Sequence, residues 1–180
     1  MRWYWIDRFL EFESGRYAKA VKNISLAEDH LHDHFYGYPL MPASLVIEGL
    51  AQTGGLLVCE HGQFTQKVIL AKIPRAQFFC EALPGDTLTY TATIEDIKPE
   101  GASVAATSHK GDVLHARAQI VFAHLNDPSI GTFFAPEVFL HMMRLLGAYR
   151  VGHARDGSPL LPPPHLCQAA AEALAGEIGP

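Results

Sequence analysis

Two side chains stand out by type and setting. His34 opens the stretch His34-Phe35-Tyr36-Gly37-Tyr38-Pro39-Leu40-Met41-Pro42-Ala43, and Glu48 follows it fourteen residues later inside an apolar segment. Histidine titrates near neutral pH, so it can accept and return a proton under working conditions. A carboxylate among apolar neighbours needs a partner or a purpose, and burial favours its neutral, proton-donating form. Together the two side chains make a general acid–base pair. Gln52 lies one turn beyond Glu48 on the same helical face, as support for Glu48 or as a plain interhelical hydrogen bond.

The elements that must hold this pair are readable around it. Gly37, Pro39 and Pro42 punctuate the first stretch within six residues, which makes it a loop. From Pro42 onward the chain turns regular. Leu45, Val46, Ile47, Leu50, Ala51, Leu56, Leu57 and Val58 cover nearly the whole circumference of a helix, and such a helix is buried. Pro42 suits its first turn. Glu48 is the one carboxylate read within it, and a left-handed glycine cap is expected at His61-Gly62.

Before the loop, residues 6–25 alternate around Ser14-Gly15 as two short strands. Ser25-Leu26-Ala27-Glu28 reads as a capping box for a helical turn over 26–32. After Gln63 the period becomes strand-like through 68–79, with Pro74 marking a bulge or an edge. Three more strands follow: Thr87 to Ile97, Ala102 to His109 and Val113 to Leu125. Two strands, one buried helix and four antiparallel strands have one economical α+β solution, a sheet curled around the helix. Composition shifts at Asn126-Asp127-Pro128, which divides the chain into a main domain, 1–127, and a helical C-terminal extension, 128–180. The extension carries helices over 136–146 and about 165–175, and it packs on the sheet or on a partner subunit. Within it the Met142-Met143 stripe reads as core.

The chain has 180 residues, 48% apolar, with a net charge of −5. That suits one ordinary domain with a sizeable core. Acids and bases are interspersed without a basic cluster, which argues against nucleic acid as a partner. The longest apolar run is interrupted and too short for a bilayer. The N-terminus has no apolar signal region. Three widely spaced cysteines, Cys59, Cys80 and Cys167, form no disulfide framework or zinc motif and point to a reducing cytoplasm. His30, His32 and His34 alternate, but on a helical turn they diverge, so no metal site is expected.

His34-Phe35-x-Gly37-x-Pro39-x-Met41-Pro42, followed by Leu45, Glu48, Leu50-Ala51-Gln52 and Gly54-Gly55, closely resembles the signature of bacterial 3-hydroxyacyl-[acyl-carrier-protein] dehydratases. Pro84-Gly85-Asp86-Thr87-Leu88 also looks like that family's turn between its third and fourth strands. The resemblance spans about residues 6–125. It implies a hotdog fold and a homodimer, often assembled further into a trimer of dimers. The active sites would be shared: His34 from one subunit as base, Glu48 from the other as acid. The Ala43 N–H would polarise the thioester carbonyl, with Gly37 and Gln52 completing the substrate-binding positions. The substrate would be a (3R)-3-hydroxyacyl thioester on acyl carrier protein or coenzyme A, and the product a trans-2-enoyl thioester, with no metal or organic cofactor. Glutamate in place of aspartate leans toward dehydration without efficient double-bond isomerisation.

The chain departs from the family pattern where Ala43 replaces the usual glycine and Tyr38 replaces histidine or aspartate. The basic residues common in the third strand are also missing around Phe78-Phe79-Cys80-Glu81. Tyr36 and Tyr38 are candidates either to line an acyl tunnel or to pack around the proline loop. Two other functions fit the same fold: an acyl thioesterase, or a catalytically inactive acyl- or carrier-binding subunit.

Overall fold

The computed structural model describes residues 3–125 and 135–177. The alternation of the first residues becomes β1 (Arg8–Glu13) and β2 (Tyr17–Asn23), turned at Gly15. Then come α1 (His30–Asp33), the long helix α2 (Ala43–His61), β3 (Lys67–Phe78), β4 (Thr87–Lys98), β5 (Gly101–Lys110) and β6 (Val113–Leu125). These six strands pair antiparallel in the order β3-β6-β5-β4-β2-β1. Helix α2 packs against β2, β3, β4, β5 and β6. The expected hotdog arrangement holds.

Side-chain size explains how closely the sheet wraps the helix. Inward positions alternate along the strands, as a period of two requires: Leu88, Tyr90 and Ala92 on β4, Val104 and Ala106 on β5, Ala118 and Ile120 on β6 are all buried. Several are alanines, which let the helix backbone approach. Gly49 marks the closest approach, since a Cβ there would collide with the Tyr90 ring. Strand β3 lies at the edge, with register shifts between Leu70 and Lys72 and between Lys72 and Arg75, one residue beyond Pro74. The expected edge position and bulge are both present.

Local details differ from expectation at three places. Regular helix before the loop is confined to His30–Asp33 rather than 26–32. The capping box is only half formed: Glu28 Oε1 accepts from Ser25 N at 3.3 Å but also from Lys22 Nζ at 2.8 Å, while Ser25 Oγ accepts from Ala27 N. At the far end of α2, Gly62 has φ −80° and is not left-handed. Gln63 and Phe64 take positive φ instead, and Phe64 N bonds back to Cys59 O at 2.7 Å. Burial of the Phe64 ring against Phe139, 5.1 Å away, offsets the cost of that conformation. Finally, α2 holds a second carboxylate, Glu60, more deeply buried than Glu48.

The C-terminal segment supplies α3 (Pro136–Leu145), α4 (Ala148–Val151), β7 (Gly152–His153) and α5 (Pro164–Glu177). Proline starts α3 and Gly147, at φ 73°, follows its end, as expected. Strand β7 adds to the sheet parallel to β1, and Phe9 N and Ser14 N donate to Leu146 O and His153 O at 2.8 and 2.9 Å. Leu140, Met143, Leu146, Ala148 and Leu166 join the same apolar core as α2 and the sheet. The segment therefore packs on its own sheet. The boundary read at residues 127 and 128 lies outside the described residues.

Candidate active site

The loop is fixed from both ends. His34 follows α1 and is half-buried, its ring stacked on Phe35 with centroids 4.4 Å apart. Its carbonyl accepts from Leu40 N at 2.8 Å, and Phe35 and Tyr38 exchange two backbone hydrogen bonds across the tip. Gly37 turns that tip at φ 75° with open space around it, so backbone conformation, not crowding, calls for glycine there. Met41 N donates to Ala82 O at 2.9 Å, tying the loop to the segment ahead of Pro84-Gly85-Asp86. Tyr38 OH donates to Glu81, and Tyr36 is 96% exposed. Both tyrosines stand at the surface of the single chain, and neither lines the cavity described below.

Helix α2 begins where the loop ends. Pro42 precedes it, and Leu45 N and Val46 N both donate to Pro42 O. Ala43 is the first helical residue and is exposed. Its N–H belongs to the first turn, where donors have no intrahelical acceptor and the helix dipole is positive.

Glu48 and Gln52 meet one turn along α2. Gln52 Nε2 donates to Glu48 Oε1 at 2.8 Å and to Trp3 O at 2.8 Å, while Gln52 Oε1 accepts from Trp5 N at 2.7 Å. This pattern assigns the amide: turned over, its oxygen would face the carboxylate and a carbonyl, and its NH₂ would face an N–H. Gln52 is thus a fixed donor that orients Glu48. The N-terminal segment that fixes Gln52 was not legible as functional, because it acts through backbone atoms of Trp3 and Trp5.

Glu48 and Gln52 border a cavity of about 410 Å³. Its remaining wall is largely apolar, including Ala51, Gly55, Leu56 and Cys59 of α2 and Val138, Phe139 and Met142 of α3. Burial pushes the Cys59 thiol up to about 12, so it is an unreactive small apolar group, as read from the sequence. Of the methionine pair, Met143 is buried core, while Met142 packs against that core partly buried and also lines the cavity.

Within one chain the structure brings Glu48 and Gln52 together, and His34 is not among the residues lining their cavity. The three alternating histidines have separate surroundings. His30 packs on Trp5 with its pKa lowered by burial, and the His32 ring pairs with Leu26 O at 2.9 Å. Among the described residues no group of three or more His, Cys, Asp or Glu is placed to hold a metal, and no helix is long and apolar enough to cross a membrane.

Residues 3–123 match the FabA-like domain. The chain belongs to that family. Within the FabA-like family the similarity is to the FabZ dehydratases. The chain is 35% identical over 119 residues to "3-hydroxyacyl-[acyl-carrier-protein] dehydratase FabZ" of Pelotomaculum thermopropionicum, covering 66% of this chain and 85% of that one. It is 36% identical over 123 residues to the FabZ of Pseudothermotoga lettingae, covering 68% and 86%. Among solved structures, the dehydratase heterocomplex ApeI:P from Xenorhabdus doucetiae superimposes with a TM-score of 0.58 at 11% identity, covering 69% of this chain and 84% of that one. The protein smu.793 from Streptococcus mutans, bound to acetyl CoA, gives 0.56 at 15%, covering 69% and 93%. These two likenesses establish the fold of the FabA-like region.

Proposed function

We propose that this FabA-like protein is a hydro-lyase converting (3R)-3-hydroxyacyl thioesters, carried on acyl carrier protein or coenzyme A, to trans-2-enoyl thioesters. The observation that carries this reading is Glu48, oriented by Gln52 at the polar end of an apolar cavity. In the forward step His34 takes the C2 proton. The C–H electron pair becomes the C2–C3 double bond, the C3–O bond breaks, and the hydroxyl leaves as water with a proton from Glu48. Gln52 holds Oε1, which leaves Oε2 to carry that proton. Charge building on the thioester oxygen meets the Ala43 N–H at the start of α2, and Gly37 shapes the loop that brings His34 to the substrate.

The site is completed across a homodimer, with His34 and Glu48 from different subunits, and pairs assemble further into a trimer of dimers. The absence of His34 from the lining of the Glu48 cavity supports this, as do the exposed edge residues Leu70, Ile73 and Phe78 and the exposed loop residue Phe35. Residues 1–127 form the catalytic body and 128–180 the extension. Three free cysteines fit a cytoplasmic location. Helix α3 lines the cavity and leaves it open, which supports catalysis over an inactive binding subunit.

The test follows hydration of crotonyl thioesters and dehydration of 3-hydroxybutyryl thioesters by ultraviolet absorbance. Wild type should turn over, and His34→Ala and Glu48→Gln should not, with circular dichroism unchanged. Co-refolding the two inactive variants should restore about a quarter of the wild-type rate, because half the dimers are mixed and each carries one intact site. No recovery would place both groups in one chain. Hydrolysis without dehydration would make the protein a thioesterase.

A further inference from the structure

Glu48, Ala51, Gln52, Gly55, Leu56 and Cys59 recur at three- and four-residue spacing and form one stripe along α2. The stripe runs about 16 Å from the carboxylate toward the helix C-terminus. Its residues change from polar at Glu48 and Gln52 to apolar beyond, the gradient that an acyl chain attached to a reacting head group requires. A second wall comes from α3, through Val138, Phe139 and Met142. Phe139 packs on Phe64, whose N–H bonds to Cys59 O, so it stands at the end of the stripe remote from Glu48. The helix is anchored in the core by Leu140 and Met143, both buried. This wall is rigid.

Helix α3 lies outside residues 3–123, the part that matches the family. We propose that the C-terminal extension is a specificity element: Phe139 forms the floor of the acyl pocket and Met142 its side, and together they set the acyl chain length accepted beside Glu48. This rests on the dehydratase reading for the identity of the ligand. The occupant is the acyl chain of a thioester substrate, and the pocket ends on a side chain whose size can be changed.

The experiment measures binding apart from turnover. Saturated acyl coenzyme A thioesters of increasing length, which lack the 3-hydroxyl and cannot react, are titrated by calorimetry into wild type, Phe139→Ala, Phe139→Leu, Met142→Ala and Leu145→Ala. Leu145 is exposed on α3 and serves as a control. Wild-type affinity should rise with chain length, about fourfold per methylene accommodated, and then stop. In Phe139→Ala the stop should move to longer chains, in Phe139→Leu less far, and in Leu145→Ala not at all. Met142→Ala should favour branched chains. The same stopping length in wild type and both Phe139 variants, with melting temperatures showing intact folding, would overturn the proposal. So would failure of wild type to bind any chain. Turnover of 3-hydroxybutyryl thioester in the same samples separates the two readings. Activity with an unmoved stop defeats the inference alone, and a moved stop without activity defeats the dehydratase alone.

Discussion

Helix α2 carries two glutamates about 18 Å apart, and they live in opposite environments. Glu48 is half-buried at the edge of a cavity, with one carboxylate oxygen held by Gln52. Glu60 is 3% exposed; Ser14 bonds to its carboxylate, Oε2 has no partner among the described residues, and burial raises its pKa. By depth alone Glu60 would be the stranger acid. Yet a group that must hand a proton to substrate needs access and a fixed orientation, and Glu48 has both. The neighbour of Glu60 in that region, Tyr149, also keeps a buried hydroxyl without a partner among the described residues, and its pKa is raised by burial first and then by the nearby Glu60 charge. The two ends of one helix thus separate a site of exchange from a site of confinement.

Substitution tests that separation most strongly at Glu48. Glu48→Gln should lower kcat by a factor of about 10² to 10⁴ with an unchanged melting temperature, whereas Glu60→Gln should leave kcat within about twofold of wild type in steady-state assays. A Glu60→Gln protein that is folded but inactive would erase the distinction. Gln52→Leu removes the donor that orients Glu48 without removing the acid. A loss of about 0.5–1.5 kcal/mol for a hydrogen bond between neutral groups corresponds to a fall in kcat of roughly twofold to tenfold, with little change in KM. Gly49→Ala probes the helix between the acids: its methyl would strike the Tyr90 ring, so unfolding in urea should show a loss of about 1–3 kcal/mol.

The smallest effect belongs to Glu60 and depends on pH. Because burial raises its pKa in the folded state, the native protein holds this proton more tightly than the unfolded chain. The associated stability is complete below the ordinary carboxylate value of 4.5 and is lost as pH rises through the raised value. Glu60→Gln escapes that loss. Denaturant midpoints should show it more stable than wild type at pH 7 and equal to it near pH 4. Equal stability at both values would mean that Glu60 carries no linked proton.

Much of the site was legible because loop and helix declare themselves locally. Glycine and proline spacing fixed the loop, and the apolar circumference fixed the burial of α2. Glu60 escaped notice because the helix was read as ending its apolar run at Val58, and a carboxylate beside a terminal His-Gly looks like solvated surface. The partner of Gln52 was hidden for another reason. Trp3 and Trp5 contribute main-chain atoms, which leave no mark in residue type. Met142 and Met143 show the limit of periodicity: neighbouring residues on an amphipathic helix face different surroundings, and only the tertiary fold says that one of those surroundings is a cavity.

Strand β7 has a meaning for how copies of this chain can meet. A sheet with two bare edges can add neighbours at both ends and grow into a fibre. Here part of the β1 edge is covered by the chain itself, through Leu146, Gly152 and His153, and among the described residues β3 is the long strand left at an edge of the sheet. A unit with one long open edge pairs once through it, so growth beyond two calls on other surfaces.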